Sequence, residues 1–327
     1  QTALALAEAC AAQHELAFIL NFLGRWAMWQ GEKAQAEHYL TQSLHLSQTL
    51  GDRNRTASAL EKLANLAHAT FGEYRESKAL ALQSLSLSRE LGRPDRIAYA
   101  LDTLGYITFC LGEYAEAESY YGESLRIFES SGDHYGRAMA LGGLALVYWA
   151  SGGARLMDAT AYFHRSLLIC RELGHGGQVA GRLAGLARVA NDQGDYDQAQ
   201  QFAAEGLTLA RALGSPVYLS HILYCLGEAA YELGDLPAAR AYLLEALQVT
   251  SATGLLAYLA IALFHYATLL IKESAGESAG SNQKRSDALA LLRLVQNHPA
   301  TWQVYKARAA QQSAMLAAQT PTGARTD

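Results

Sequence analysis

The sequence predicts an all-α protein built as a stack of helical hairpins. Three observations predict it. Glycines fall in two interleaved series, Gly31, Gly72, Gly112, Gly152, Gly194, Gly234 and Gly51, Gly92, Gly132, Gly174, Gly214, Gly254, both stepping by roughly 40 residues. Two breaks per period mean two helices per unit, each ending where a left-handed backbone suits a residue without a side chain. Between the breaks, small and apolar residues recur at helical spacing: Leu101, Leu104 and Thr108, then Ala117, Tyr121, Ser124 and Leu125. The composition agrees, with 5 prolines in 327 residues, 50% hydrophobic residues and 17% charged ones.

Taken in order, helix pairs are expected to start near residues 16, 55, 96, 136, 178, 218 and 257. A half unit over 1–14 reads as the second helix of a truncated preceding repeat, and a capping helix over 300–318 closes one continuous domain of 1–318. The second unit has one extra residue in its first helix, and the fourth has two extra residues in its turn, Gly152-Gly153-Ala154-Arg155-Leu156-Met157. The seventh carries a polar insertion over 273–284, too rich in Gly and Ser to pack, and residues 319–327 read as a disordered tail. Asp52, Asp95 and Asp133 follow turn glycines closely enough to cap the next helix.

Several function classes drop out. A formal charge of −5 gives no electrostatic reason for nucleic-acid binding. The four cysteines, Cys10, Cys110, Cys170 and Cys225, show no CxxC spacing and no histidine cluster beside them, which suits reduced thiols in the cytoplasm and no metal. No run of about 18 uninterrupted apolar residues predicts a membrane span, and the most apolar segment, 255–271, reads as a buried helix. No signal peptide is visible, and the chain starts inside a helical pattern, as a piece of a longer protein would. P-loop, HExxH and GxSxG motifs are absent, and Gly174-His175-Gly176-Gly177 lies between helices rather than after a strand. The expectation is a non-enzyme without a cofactor.

The repeat resembles the tetratricopeptide (TPR) family. One unit matches through Leu101, Leu104-Gly105, Gly112, Tyr114, Ala117, Tyr121 and Ser124; another through Leu20, Leu23-Gly24, Gly31, Ala36, Leu40 and Ser43; a third through Leu223, Leu226-Gly227, Gly234, Leu236, Ala239, Leu243 and Ala246. The resemblance implies a right-handed α-solenoid of about seven pairs, whose first helices line a concave groove. It carries ligand-contacting positions onto Phe18, Asn21, Arg25 and Trp29, onto His68, onto Tyr99, Asp102, Tyr106 and Phe109, and onto Trp149. Further along it marks Arg188 and Asn191, then His221, Tyr224, Glu228 and Tyr231. Trp302 and Tyr305 read instead as core of the capping helix.

The ending, Ala288-Leu289-Ala290-Leu291-Leu292, His298-Pro299-Ala300-Thr301 and Ala307-Arg308-Ala309-Ala310, resembles the C-terminal repeat domains of bacterial signal-transduction ATPases with numerous domains, including MalT-like and AfsR-like regulators. This implies a sensor that binds a protein, peptide or small-molecule inducer and restrains an upstream nucleotide-binding module of the same chain. A free-standing adaptor or peptide receptor is the rival expectation.

Overall fold

The computed structural model describes residues 12–30, 32–70, 73–275 and 280–318, and among them it contains fifteen α-helices and no strand. They are α1 (Gln13–Gln30), α2 (Lys33–Thr49), α3 (Arg53–Thr70), α4 (Tyr74–Glu90), α5 (Pro94–Leu111), α6 (Tyr114–Ser131), α7 (His134–Ser151) and α8 (Arg155–Glu172). There follow α9 (Gly176–Gln193), α10 (Tyr196–Leu213), α11 (Pro216–Glu232), α12 (Leu236–Thr253), α13 (Leu256–Glu273), α14 (Ser281–Asn297) and α15 (Gln303–Ala318). First helices begin one to three residues earlier than the apolar spacing indicates. Their opening turns are polar or Pro-initiated (Pro94, Pro216) and carry no periodic signal, while proline's fixed φ suits the first helical position. Residues up to 11 and from 319 onward, including most of the expected half unit and the tail, lie outside the described residues.

Every described glycine of the two series has a positive φ, from 60° at Gly92 to 87° at Gly234. Asp52 and Asp133 cap as expected, accepting from the backbone N–H of Arg55 and Gly136 at 3.0 and 2.8 Å. Asp95 does not cap: it lies inside the first turn of α5 and pairs with Arg93 instead. The polar insertion is also shorter than expected. Glu273 ends α13 and pairs with Arg240 and Lys284, and 281–284 already belong to α14.

The chain divides into two compact units, Gln1–Val147 and Tyr148–Asp327, with the division inside α7. In the first unit, α1/α2, α3/α4 and α5/α6 are hairpins, and the first helices α1, α3 and α5 also pack on one another. The Leu-Gly signature has a direct steric cause. A Cβ added to Gly105 on α5 would stand 2.9 Å from the Tyr121 ring of α6, and one on Gly143 of α7 would stand 2.1 Å from the same ring. The buried Tyr121 ring therefore meets backbone on both neighbouring helices. Gly24 does the same for Leu40. Serines add a polar tie: Ser43, Ser84 and Ser124, one per hairpin, donate to the carbonyls of Ala17, Ala57 and Ala98 at 2.8, 2.8 and 2.9 Å.

In the second unit, α9/α10, α11/α12 and α13/α14 repeat the arrangement, and α9, α11 and α13 pack in sequence to form one wall. Gly227 admits Leu243, and Gly185 admits the ring of Phe163. The serine position recurs at Ser166 on α8, whereas α10 and α12 carry Gly206 and Ala246 there, which offer no hydroxyl for such a tie. On the outer surface, second helices are linked by Arg171–Glu205 and Arg211–Glu245. These partners are about half exposed, so each pair contributes less than about 1 kcal/mol. Helix α13 is apolar and long enough to span a bilayer, yet Ile261, Phe264, His265 and Leu269 on it are buried in the stack.

Candidate ligand-binding wall

The second unit gathers Trp149, His221, Tyr224, Tyr231, Tyr258, Phe264 and His265 on the first-helix wall, and α15, the last described helix, lies against it. Tyr305, Arg308 and Gln312 on α15, with Trp302 immediately before it, each meet the wall. Trp302 has ring contacts with His221 and Tyr258, and Tyr305 packs on Trp149, Phe264 and His265 at 5.4–6.1 Å. Arg308 donates to both carboxylate oxygens of Asp192, and Gln312 accepts from Thr268. Trp302 and Tyr305 are each 1% exposed, as expected of a buried cap. They cover the wall as well as packing internally, which the sequence reading did not anticipate.

Beneath α15, seven residues marked by the family positions come together. Trp149 is 1% exposed and donates from Nε1 to Asp192 at 2.6 Å. Arg188, 2% exposed, lies over the Trp149 ring at 4.5 Å and donates to the Tyr224 hydroxyl at 2.9 Å. Its Nη2 stands 3.4 Å from Nε2 of His221. Asn191 donates to the Cys225 carbonyl and to Glu228 Oε2, at 3.0 and 3.1 Å. Tyr231 pairs with His265 Nδ1 at 3.1 Å, and the Tyr224 ring stacks on His265 at 5.3 Å. Tyr224 and Tyr231 are buried in this arrangement.

The polar atoms of this wall are incompletely matched. Among the described residues no carboxylate lies within ion-pair distance of Arg188, and its Nε and Nη1 have no hydrogen-bond partner. Because a guanidinium only donates, His221 Nε2 must accept, which leaves the proton on Nδ1, also without a partner. His265 Nε2 and Asn191 Oδ1 are in the same state. A buried donor or acceptor left unmade costs about 1–3 kcal/mol. Burial, reinforced by Asp192, pushes Glu228 up to about 8, while burial pushes His265 down to about 3 and His221 well below its usual value. A cavity of about 450 Å³ remains between α11, α13 and α15, with Glu228, Tyr231, Phe264, Lys272, Arg308 and Met315 among its lining residues.

The marked residues of the first unit are distributed differently. Phe18 is 59% exposed, with the Arg55 guanidinium 5.4 Å from its ring. Asn21 is half-buried and accepts from Ser58 at 3.5 Å, and Arg25 is exposed with its guanidinium over Phe22. Tyr99 donates to Asp133 at 2.8 Å and packs edge-on against Phe128, so it braces the α6–α7 turn. Asp102 and Tyr106 are half-buried, whereas Phe109 is 1% exposed and packs beside Tyr114. The side chains of Trp29 and His68 lie outside the described residues. No group of three His, Cys, Asp or Glu side chains suited to a metal occurs among the described residues. Sequence reasoning missed Tyr258, His265 and Arg308 as wall residues. The signal for Arg308 was its helical spacing from Trp302 and Tyr305.

Paired helices with a ring-lined wall define a helical-repeat binding module. The chain matches the family model of the MalT-like TPR region over residues 63–270, and it belongs to that family. It is a TPR-type repeat domain. Among solved structures, it is similar to a Rap protein complexed with competence and sporulation factor, at 17% identity and a TM-score of 0.71, covering 94% of this chain and 80% of that one. It is similar also to the Rap conjugation gene regulator of plasmid pLS20 in complex with the Phr* peptide, at 15% identity and 0.69, covering 89% and 77%. A third is a signal transduction ATPase with numerous domains, with a tetratricopeptide repeat sensor, from Pyrococcus horikoshii, at 19% identity and 0.52. That likeness covers 72% of this chain and 36% of that one. At these identities the likeness speaks for the fold alone. No curated protein matches the chain in sequence.

Proposed function

We propose that this chain is the sensor of a MalT-like signal-transduction ATPase, receiving a protein, peptide or small-molecule inducer on its first-helix walls and controlling an upstream nucleotide-binding module in the cytoplasm. The observation that carries the reading is the MalT-like family match over 63–270. The wall chemistry supports it: Trp, Tyr and Arg dominate binding hot spots, and here Trp149, Arg188, Tyr224 and Tyr231 share one face. The family positions of the first unit, from Phe18 to Phe109, belong to the same proposal. Control works as a population shift, in which the inducer favours the released state by its differential affinity.

A second reading is favoured by one observation. Two of the similar structures are Rap proteins complexed with a signalling factor or peptide. On that reading the chain is a free-standing peptide receptor or adaptor. The test is the parent protein itself. If a nucleotide-binding module precedes this segment, ATP turnover by the whole protein is measured with and without the segment. Release of turnover on its removal supports the sensor, and unchanged turnover or a parent without such a module rejects it in favour of the receptor.

A further inference from the structure

The last helix is docked on the wall as a ligand would be, and the fit is imperfect in a specific way. Residues 302, 305, 308 and 312 touch wall residues drawn from α7, α9, α11 and α13, which is how an amphipathic helix seats in a groove. Yet the contact leaves Arg188 enclosed without a counter-charge, two of its nitrogens unmatched, and His221 Nδ1–H unmatched beside it. It also leaves the cavity of about 450 Å³ toward the far end of α15. Elsewhere on the same wall the opposite outcome is seen, since Asp192 receives Arg308 and Glu232 receives Lys272. The orphaned nitrogens of Arg188 and His221 are donors, so what this spot lacks is an acceptor, and for a guanidinium the best acceptor is a carboxylate.

We infer that α15 is an intramolecular stand-in for the partner, and that the partner replacing it is a peptide segment whose carboxylate seats on Arg188. The inference rests on the reading of this wall as the ligand surface and adds how the wall is kept closed and what opens it. Tethering gives α15 a high effective concentration, so an unlinked copy of the same helix competes poorly and only a better-matched segment displaces it. The Trp302 ring lies 5.8 Å from the Arg188 guanidinium carbon, which makes position 302 the place where an acid would meet it.

The test uses the full chain and two labelled synthetic peptides. One copies residues 299–318, and the other is the same with glutamate at the position of Trp302. The glutamate peptide is expected to bind at least tenfold more tightly than the copy, and Arg188→Met to abolish that difference while the far-ultraviolet dichroism stays helical. Arg308→Gln, which removes the Asp192 pair at a partly exposed site, is expected to admit both peptides more readily by loosening the tethered helix. Hydrogen exchange on the unaltered chain gives a readout that needs no variant: amides of 303–318 lose protection when the glutamate peptide binds. Equal binding of the two peptides, a preference that survives Arg188→Met, or full protection of 303–318 with the peptide bound overturns the inference. These outcomes are independent of ATP turnover in the parent protein, so the sensor reading can stand when this one falls.

Discussion

Three glycine-to-alanine changes within one stretch of the first unit are predicted to have different signs. Each relieves the cost of glycine in a helix, a gain of about 1 kcal/mol. At Gly122 on α6 a Cβ meets no heavy atom within 4 Å, so Gly122→Ala keeps the whole gain. At Gly105 the new carbon stands 2.9 Å from three Tyr121 ring atoms, and at Gly143 it stands 2.1 Å from the same ring. Carbon contacts are favourable at about 3.5–4.0 Å, so the ring must move. It is 2% exposed and bordered by the other glycine, which limits where it can go. Overpacking of this kind costs about 1–3 kcal/mol, with Gly143 at the upper end. The net expectation is a gain of about 1 kcal/mol for Gly122→Ala, a loss of up to about 2 for Gly105→Ala and a loss of about 2 for Gly143→Ala. Urea unfolding followed by far-ultraviolet dichroism reads all three, and in a Tyr121→Ala background the Gly143 penalty should vanish. If Gly143→Ala raises the midpoint as much as Gly122→Ala does, the clamped-ring account is wrong.

Folding raises the Glu228 pKa from 4.5 to about 8, so this carboxyl's contribution is complete below pH 4.5 and is lost as pH rises through 8. His265 moves the other way, from 6.5 to about 3, so its contribution is complete above pH 6.5 and is lost as pH falls through 3. The two slopes oppose each other between 4.5 and 6.5, and from 6.5 to 8 stability should fall by roughly 2 kcal/mol, at about 1.36 per pH unit, a decline that Glu228→Gln removes in melts across that range. Ser124→Ala deletes a buried bond to the Ala98 carbonyl and is expected to lower stability by about 1 kcal/mol in urea titration, while Arg211→Ala at an exposed pair changes it by less than that. Trp149→Ala empties a fully buried site and removes one of the donors to Asp192, at about 3–5 kcal/mol, and a mild loss of midpoint would place this indole outside the core.

The fold was legible because its determinants are local and repeated. The turn glycines announce themselves by period alone, and Leu104-Gly105 with Tyr121 announces a close helix contact within twenty residues. The wall was half legible. Family positions pick out Trp149, Arg188 and Tyr224, but whether a ring faces a ligand or another ring depends on contacts such as Tyr305 on Trp149, far apart along the chain. No periodicity encodes such a pairing. The serine ties were hidden for a different reason: at Ser43, Ser84 and Ser124 the pattern asks only for a small residue, and the hydroxyl's use becomes visible once the opposing carbonyl is in place. Asp95 misled because an acid just after a turn suits both a cap and the first helical turn, and the preceding proline settles which.

Most contacts in either unit reach no farther than the adjoining hairpin, so they are indifferent to how many hairpins there are. The bond from Arg308 to Asp192, with Tyr305 on Trp149, is not indifferent. A sixteen-residue rod anchored at one end can reach Trp149 and Asp192 only if a fixed number of hairpins intervenes. The final helix thus measures its own half of the molecule, and duplication or loss of a repeat between α9 and α14 would leave it a gauge with nothing to grip.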